Sequence, residues 1–199
     1  MNLVVMPGSP ALVRELAPGD QAGARLLTAL REVFAEILAK PRRIELVGSR
    51  NRRWHTGLAG SFRAWGAPQV TVGAGHHLPE LVQRYALGDQ ARAVTTTRDD
   101  LGQPDPDVLT IVAVDGSAGL DARAPLAELP GAAATDRWCR AMLAGTPGRG
   151  ECTIEQLTAA GVLEPELWAQ LAALTPVTAE LVDADTTLGI GRYVAGWEI

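Results

Sequence analysis

The sequence contains little cysteine and no excess of basic residues. Its two cysteines, Cys139 and Cys152, are too few for a disulfide framework, and their spacing matches no zinc-binding pattern. The 18 lysines and arginines are outnumbered by 23 aspartates and glutamates, which gives a net charge of −5. A protein of this charge is not expected to bind nucleic acid through its phosphates. We therefore expect a reduced, cytoplasmic protein without a nucleic-acid partner.

Long hydrophobic runs are also missing from the sequence. The longest ones, such as residues 108–114, are far too short to cross a bilayer, and residues 1–7 lack the segments of a secretory signal. No membrane partner is expected. The hydrophobic fraction of 47% and the charged fraction of 21% are typical of a globular protein, so we predict one domain over residues 1–199. This composition is compatible with a small-molecule ligand and with a homo-oligomer.

The spacing of apolar residues predicts that strands and helices alternate along the chain. The predicted strands cover residues 3–6, 43–47, 69–72, 108–114, 178–182 and 190–198. The predicted helices cover residues 22–39, 79–87 and 135–144, then one from the capping box at Thr153 to Gly161, and one that begins at Pro165. Residues 49–68 have no sustained period and are predicted as a long loop. This alternation predicts an α/β fold with a central mixed, mainly parallel sheet and helices on both faces.

The turn Asp115-Gly116-Ser117 follows the predicted strand that is most continuously apolar. Ligands of open α/β sheets bind at the carboxyl ends of strands, so Asp115 is a candidate base or ligand and Ser117 a candidate hydrogen-bond donor. The alternative is a structural turn in which the aspartate binds nearby backbone amides. No histidine-linked nucleophile motif surrounds Ser117, so serine hydrolase chemistry is not indicated.

Histidine is scarce, since the chain contains only His55, His76 and His77. His55 follows a predicted buried strand in a glycine-rich loop, which is a suitable position for a pocket residue, although a lone loop histidine is more often solvated. The adjacent His76 and His77 would point in opposite directions in an extended segment, so they are poor joint ligands for one ion. No closely spaced metal-binding motif occurs, and no metal or other cofactor is expected.

Positive charge is concentrated between residues 40 and 53, where six basic residues accompany one glutamate. Three of them, Arg50, Arg52 and Arg53, lie beyond the carboxyl end of a predicted strand. Guanidinium groups there could hold an anion through paired hydrogen bonds, which makes these residues candidates for anion binding. The alternative is a solvated loop whose arginines pair with acidic residues elsewhere in the chain.

Several segments together resemble a known family. They are residues 44–48 (IELVG), 60–66 (GSFRAWG), 112–118 (VAVDGSA), Ala124-Pro125, Asp136 and residues 189–197 (GIGRYVAGW). Their order and spacing are similar to actinobacterial proteins related to class III extradiol ring-cleavage dioxygenases, in the catalytic-subunit-B-like superfamily that also includes the Memo proteins. The resemblance extends over nearly the whole chain and rests on structural glycines and strands. It implies an α/β sandwich with a central mixed sheet.

The resemblance also implies where a metal site would lie. In active members of the family, two histidines and a glutamate bind iron(II), and a further histidine transfers protons to and from a catechol. Carried over, the first ligand position falls on Gly8 or Ser9, the second lies near His55, and the proton-transfer position falls on Ala118. No glutamate has a matching motif. Since such an iron site needs three protein ligands, the resemblance implies a degenerate site that holds no iron.

Two functional hypotheses follow from these observations. The first is a non-catalytic protein with an extradiol dioxygenase-like fold that binds a small molecule or a partner. The second is a divergent metal-dependent oxygenase, or another enzyme, that acts on a small aromatic or anionic substrate. The candidate pocket residues for both hypotheses are Ser9, His55, Asp115 and Ser117.

Overall fold

Strands and helices alternate along most of the chain in the computed structural model, which describes residues 1–146 and 150–199. The described strands are β1 (Leu3–Met6), β2 (Arg43–Gly48), β3 (Ser61–Phe62), β4 (Ala67–Thr71), β5 (Val94–Arg98), β6 (Val108–Ala113), β7 (Thr178–Asp185) and β8 (Arg192–Glu198). The described α-helices are α1 (Gln21–Ile37), α2 (Leu78–Leu87), α3 (Ala132–Leu143), α4 (Ile154–Ala159) and α5 (Pro165–Ala172). None of these helices is long and apolar enough to span a bilayer.

Six of the strands form one mixed sheet in the order β5-β2-β6-β1-β8-β7. Neighbouring strands from β5 to β1 are parallel, whereas β8 runs antiparallel to both β1 and β7. The predicted α/β class with a mainly parallel sheet is therefore confirmed. Strand β6 lies in the interior of the sheet and all of its residues are buried, as its continuous apolar run predicts. Strand β8 also has a neighbour on each side, so it lies inside the sheet.

Helices cover both faces of this sheet. Helices α1 and α2 pack on one face and α3, α4 and α5 pack on the other. Alternation along β1 shows this division, because Val4 and Met6 belong to the first core while Leu3 and Val5 belong to the second. The chain therefore leaves β1 toward one face and leaves β6, its neighbour, toward the other.

The helix ends follow from local sequence chemistry. The Asp20 carboxylate accepts a hydrogen bond from the Gly23 amide at 3.0 Å, so it caps the start of α1. Thr153 and Gln156 form the predicted capping box at the start of α4, where each side chain accepts from the other residue's amide. Pro165 is the first residue of α5, a position whose amide has no hydrogen-bond partner within the helix, so the missing amide hydrogen of proline costs nothing there.

The structure corrects the sequence prediction in two segments. The sequence does not predict strand β5, because Val-Thr-Thr-Thr-Arg contains only one apolar residue. Strand β5 lies at the edge of the sheet with a single neighbour, where a mostly polar strand is tolerated. Residues 49–68 were predicted as a loop but contain β3, which pairs with β4 in a separate two-stranded sheet. A strand of two residues is too short to produce a periodic pattern.

Candidate functional site

A cavity of about 290 Å³ opens at the carboxyl ends of β1 and β6. These neighbouring parallel strands send the chain to opposite faces of the sheet, and ligands of open α/β sheets bind in the crevice at such a divergence. The loop after β1 contributes Ser9 to the lining and the turn after β6 contributes Asp115. A larger groove of about 800 Å³ lies along β4 and the end of α2, but it is more open and distant from these strand ends. We therefore take the smaller cavity as the candidate site.

Apolar groups form most of the wall of this cavity. They belong to Trp54, Leu78, Pro79, Ala113, Val114, Ala118, Pro125, Leu163 and Ile190. The charged residues in the described lining are Asp115 and Glu164, and both are acidic. The volume is at the small end of the range for ligand pockets. The cavity is thus suited to a small molecule with a mostly apolar body.

The Asp115 carboxyl group is strongly perturbed by its surroundings. Burial raises the pKa of Asp115 from 3.8 to about 7, and the charge of Glu164 acts in the same direction. The Arg192 guanidinium and the backbone amides of Gly8 and Ser9 oppose this increase. The Oδ1 atom is buried and has no hydrogen-bond partner among the residues that the structure describes. This carboxyl group therefore has a pKa near neutral pH, and one of its oxygens lacks a hydrogen-bond partner among the described residues.

Contacts with two other elements fix the backbone of this turn. The Trp168 Nε1 of α5 donates a hydrogen bond to the Asp115 carbonyl oxygen at 2.8 Å. The Gly116 amide donates to the carbonyl oxygen of Gly191, just before β8, at 2.7 Å. A side chain at Gly116 would collide with the Tyr193 ring and hydroxyl, so the turn requires glycine at this close approach. The Asp115 carboxyl is therefore held on a rigid support.

Two residues of the lining, Trp54 and Glu164, were not identified from the sequence. Glu164 Oε1 accepts a hydrogen bond from Trp54 Nε1 at 2.9 Å and lies 3.5 Å from Arg53 Nη2. The Arg53 Nη2 also donates to the Leu163 carbonyl oxygen at 3.1 Å. These contacts join residues about 110 positions apart, so no local pattern could indicate them. Glu164 therefore faces the cavity with its charge already balanced by an arginine.

Ser117 lies outside the described lining of the cavity, although it is two residues from Asp115. Its hydroxyl donates a hydrogen bond to the Ala160 carbonyl oxygen and accepts one from the Gly119 amide at 3.0 Å. Its backbone also pairs with Val162. The fully buried Ser117 side chain thus joins the turn to the end of α4, and its hydrogen-bonding groups are used within the protein.

The structure brings the three histidines together beside the cavity. The His55 ring lies 5.9 Å from the His76 ring and 5.2 Å from the His77 ring, measured between centroids. The backbones of His55 and His77 also pair. Burial lowers the pKa of His77, and the positive charge of Arg50 adds to this effect. None of these residues belongs to the described lining, and no group of three potential ligands among the described residues could hold a metal ion.

The three candidate anion-binding arginines point to different elements. The Arg50 guanidinium donates to the Thr97 carbonyl oxygen at 2.9 Å, near the end of β5, whereas Arg53 contacts the start of α5. Arg52 is exposed. Anion binding by these residues stays a prediction.

Comparisons with known proteins do not assign this chain to a family. No protein-family model matches the chain, and a search of curated proteins finds no match. The cavity and its carboxyl group are therefore the observations from which a function is inferred.

Proposed function

We propose that this protein is a non-catalytic binding protein that holds a small, mostly apolar molecule at the carboxyl ends of β1 and β6. The observation that carries the proposal is the Asp115 carboxyl group, which lies in an apolar cavity with an unpartnered buried oxygen. A few convergent polar groups in a mostly apolar cavity are typical of ligand sites. The position at the divergence of β1 and β6 adds independent support.

The resemblance to class III extradiol dioxygenases supports the non-catalytic part of the proposal. An iron(II) centre of that family does not fit the residues present, because Gly8 and Ala118 offer no side-chain ligand or proton donor at two of the implied positions. The Ser9 hydroxyl accepts a hydrogen bond from the Ala11 amide at 3.3 Å, and His55 lies outside the described lining. The two lining carboxylates are fewer than the three protein ligands that such a site needs.

Binding in the cavity can be tested with a small panel of probes and a matched pair of variants. The panel contains benzyl alcohol, cyclohexanol, benzylamine and benzoate, and binding is followed through the NMR signals of Trp54, Leu163 and Ile190. Leu163 and Leu126 are both partly exposed leucines, but only Leu163 belongs to the described lining. Leu163→Trp should narrow the cavity and weaken binding by about ten-fold, which is the loss of about 1.4 kcal/mol of contact energy. Leu126→Trp should leave it unchanged.

Two outcomes would contradict this proposal. If none of the four compounds shifts the signals of the lining residues, the cavity is not a binding site. If the shifts concern Tyr85 and Val72 instead, the ligand occupies the open groove beside β4.

The absence of iron chemistry is a separate prediction. After anaerobic incubation with iron(II) and removal of excess metal, the protein should retain far less than one iron per chain. It should produce no yellow ring-opened product from catechol or protocatechuate in air, because the implied positions lack a ligand set. Stoichiometric iron that disappears in His55→Ala, together with such a product, would overturn the non-catalytic proposal.

One observation favours a second candidate function. A carboxyl group whose pKa lies near 7 is suited to general acid–base catalysis, so Asp115 could transfer a proton to or from a bound substrate. The described lining offers no nucleophile that is free of other contacts, because the Ser9 hydroxyl caps the following turn. Catalysis would need reactive groups in addition to Asp115, whereas binding needs only the groups that the described lining already contains.

A further inference from the structure

The charged side chains in the described lining of the cavity are all of one sign. Its described lining contains no lysine, arginine or histidine, and its two charged side chains are acidic. The apolar wall keeps water and its screening low, so these charges act strongly on a ligand. An anion placed here would lose its hydration and meet carboxylates rather than a counterion.

The two acidic residues of the lining differ in their hydrogen bonds and ion pairs. Glu164 is bonded to Trp54 and paired with Arg53. Asp115 forms no ion pair with a described residue, and although the Gly8 and Ser9 amides act on its carboxyl group, its Oδ1 is unpartnered among the described residues. The basic group whose charge acts on it is Arg192, whose guanidinium is already bonded to the carboxylates of Asp20 and Asp185. Asp115 is therefore the one acidic group of the lining that lacks both an ion pair and a full set of hydrogen bonds.

We propose that the ligand of this cavity is a small organic cation, a protonated primary or secondary amine with a compact aromatic or aliphatic body. The ammonium group donates to the Asp115 carboxylate and the body packs against the wall formed by Trp54, Leu78 and Ile190. A charged donor on a charged acceptor gives a stronger hydrogen bond than two neutral groups do. This inference rests on the proposed function, because it assigns the class of molecule that the same cavity binds.

The ionisation of Asp115 gives this proposal a specific signature. The cation binds the carboxylate, and the pKa of Asp115 near 7 means that a minority of molecules carry this form at pH 6. The groups that set this pKa are Arg192, Glu164 and the amides of Gly8 and Ser9. Since apparent affinity is reduced by the fraction of competent molecules, an amine should bind about ten-fold more tightly at pH 8 than at pH 6.

The test compares benzylamine, benzyl alcohol and benzoate, which have similar size and shape but carry a positive charge, no charge and a negative charge. Their dissociation constants are measured by isothermal titration calorimetry at pH 6 and pH 8 with the whole chain. At pH 8 benzylamine should bind at least about ten-fold more tightly than benzyl alcohol, because its hydrogen bond is charge-assisted. Benzoate should bind more weakly than either. The affinity for benzyl alcohol should not rise with pH.

Variants assign the preference to Asp115. Asp115→Asn should bring the affinities for benzylamine and benzyl alcohol within about two-fold of one another, since the charge is gone and the apolar wall remains. Glu166→Gln is the control, because it removes an exposed carboxyl group of α5 outside the described lining. It should keep the full preference. The pH dependence of the unaltered protein tests the proposal even where a variant folds poorly.

Each alternative result is distinguishable. If no compound binds, the proposed function itself fails. If benzyl alcohol binds as tightly as benzylamine at pH 8, the site takes a neutral molecule, and the cation proposal is overturned while the binding function stands. Tightest binding of benzoate would also overturn it and would direct attention to Arg50, Arg52 and Arg53.

Discussion

The free energy of unfolding should fall as the pH rises from about 4 to about 7, and Asp115→Asn should remove most of this fall. Burial raises the pKa of Asp115 from 3.8 to about 7, so between these values the folded protein retains a proton that the unfolded chain releases. Stability therefore decreases with pH in this window and levels off above it. At about 1.4 kcal/mol per pKa unit, a shift of this size means that the ionised group costs roughly 4 kcal/mol at pH 8.

Urea unfolding at pH 5, 6, 7 and 8 measures this difference. Asp115→Asn should be more stable than the unaltered protein at pH 8 and close to it at pH 5, because asparagine has no charge to bury. Glu166→Gln serves as the control and should leave the pH dependence unchanged. Parallel curves for Asp115→Asn and the unaltered protein would show that Asp115 does not carry the raised pKa.

This stability cost is informative about the site. Binding sites commonly contain groups that destabilise the free protein, and replacing such groups stabilises it at the expense of function. The Trp168 indole holds the backbone of Asp115 and the Gly191 carbonyl oxygen holds that of Gly116, so the turn that carries this carboxyl group is fixed. A ligand that stabilises the carboxylate would recover this cost, which is why the pH profile and the ligand preference are linked.

The sequence predicts the parts of this site that depend on local patterns. The continuous apolar run of β6 predicts a central strand, and the turn that follows predicts Asp115 as a residue at the strand's carboxyl end. Helices on both faces of the sheet are predicted by the alternation of strands and helices along the chain. These features need only the periodicity of strands and helices.

Other parts of the site depend on contacts between distant segments. Trp54 and Glu164 meet across 110 positions, and neither carries a motif that predicts the other. The loop that contains His55 pairs with the segment at His77, which brings together rings that their sequence positions would not associate. Ser117 shows the converse, because a position beside the cavity does not decide where its hydroxyl points. Side-chain direction in loops is set by tertiary packing rather than by periodic patterns.

Replacing Arg192 with methionine should lower the free energy of unfolding by about 3–5 kcal/mol, which is the usual cost of removing one partner from a buried ion pair. Arg192 is fully buried at the start of β8. Its guanidinium binds Asp20, which caps α1, and Asp185, which ends β7. Methionine fills much of the same volume but leaves two buried carboxylates without a cation. The loss therefore reports the ion pairs more than the packing.

Arg25→Met provides the matched control for this experiment. Arg25 pairs with Asp183 of the same strand β7, but its side chain is 55% exposed. An exposed pair contributes at most about 1 kcal/mol, so this variant should unfold at nearly the same urea concentration as the unaltered protein. Combining Arg192→Met with Asp20→Asn and Asp185→Asn should recover part of the lost stability, because no uncompensated charge then remains. Equal losses in Arg192→Met and Arg25→Met would contradict a buried ionic link between α1, β7 and β8.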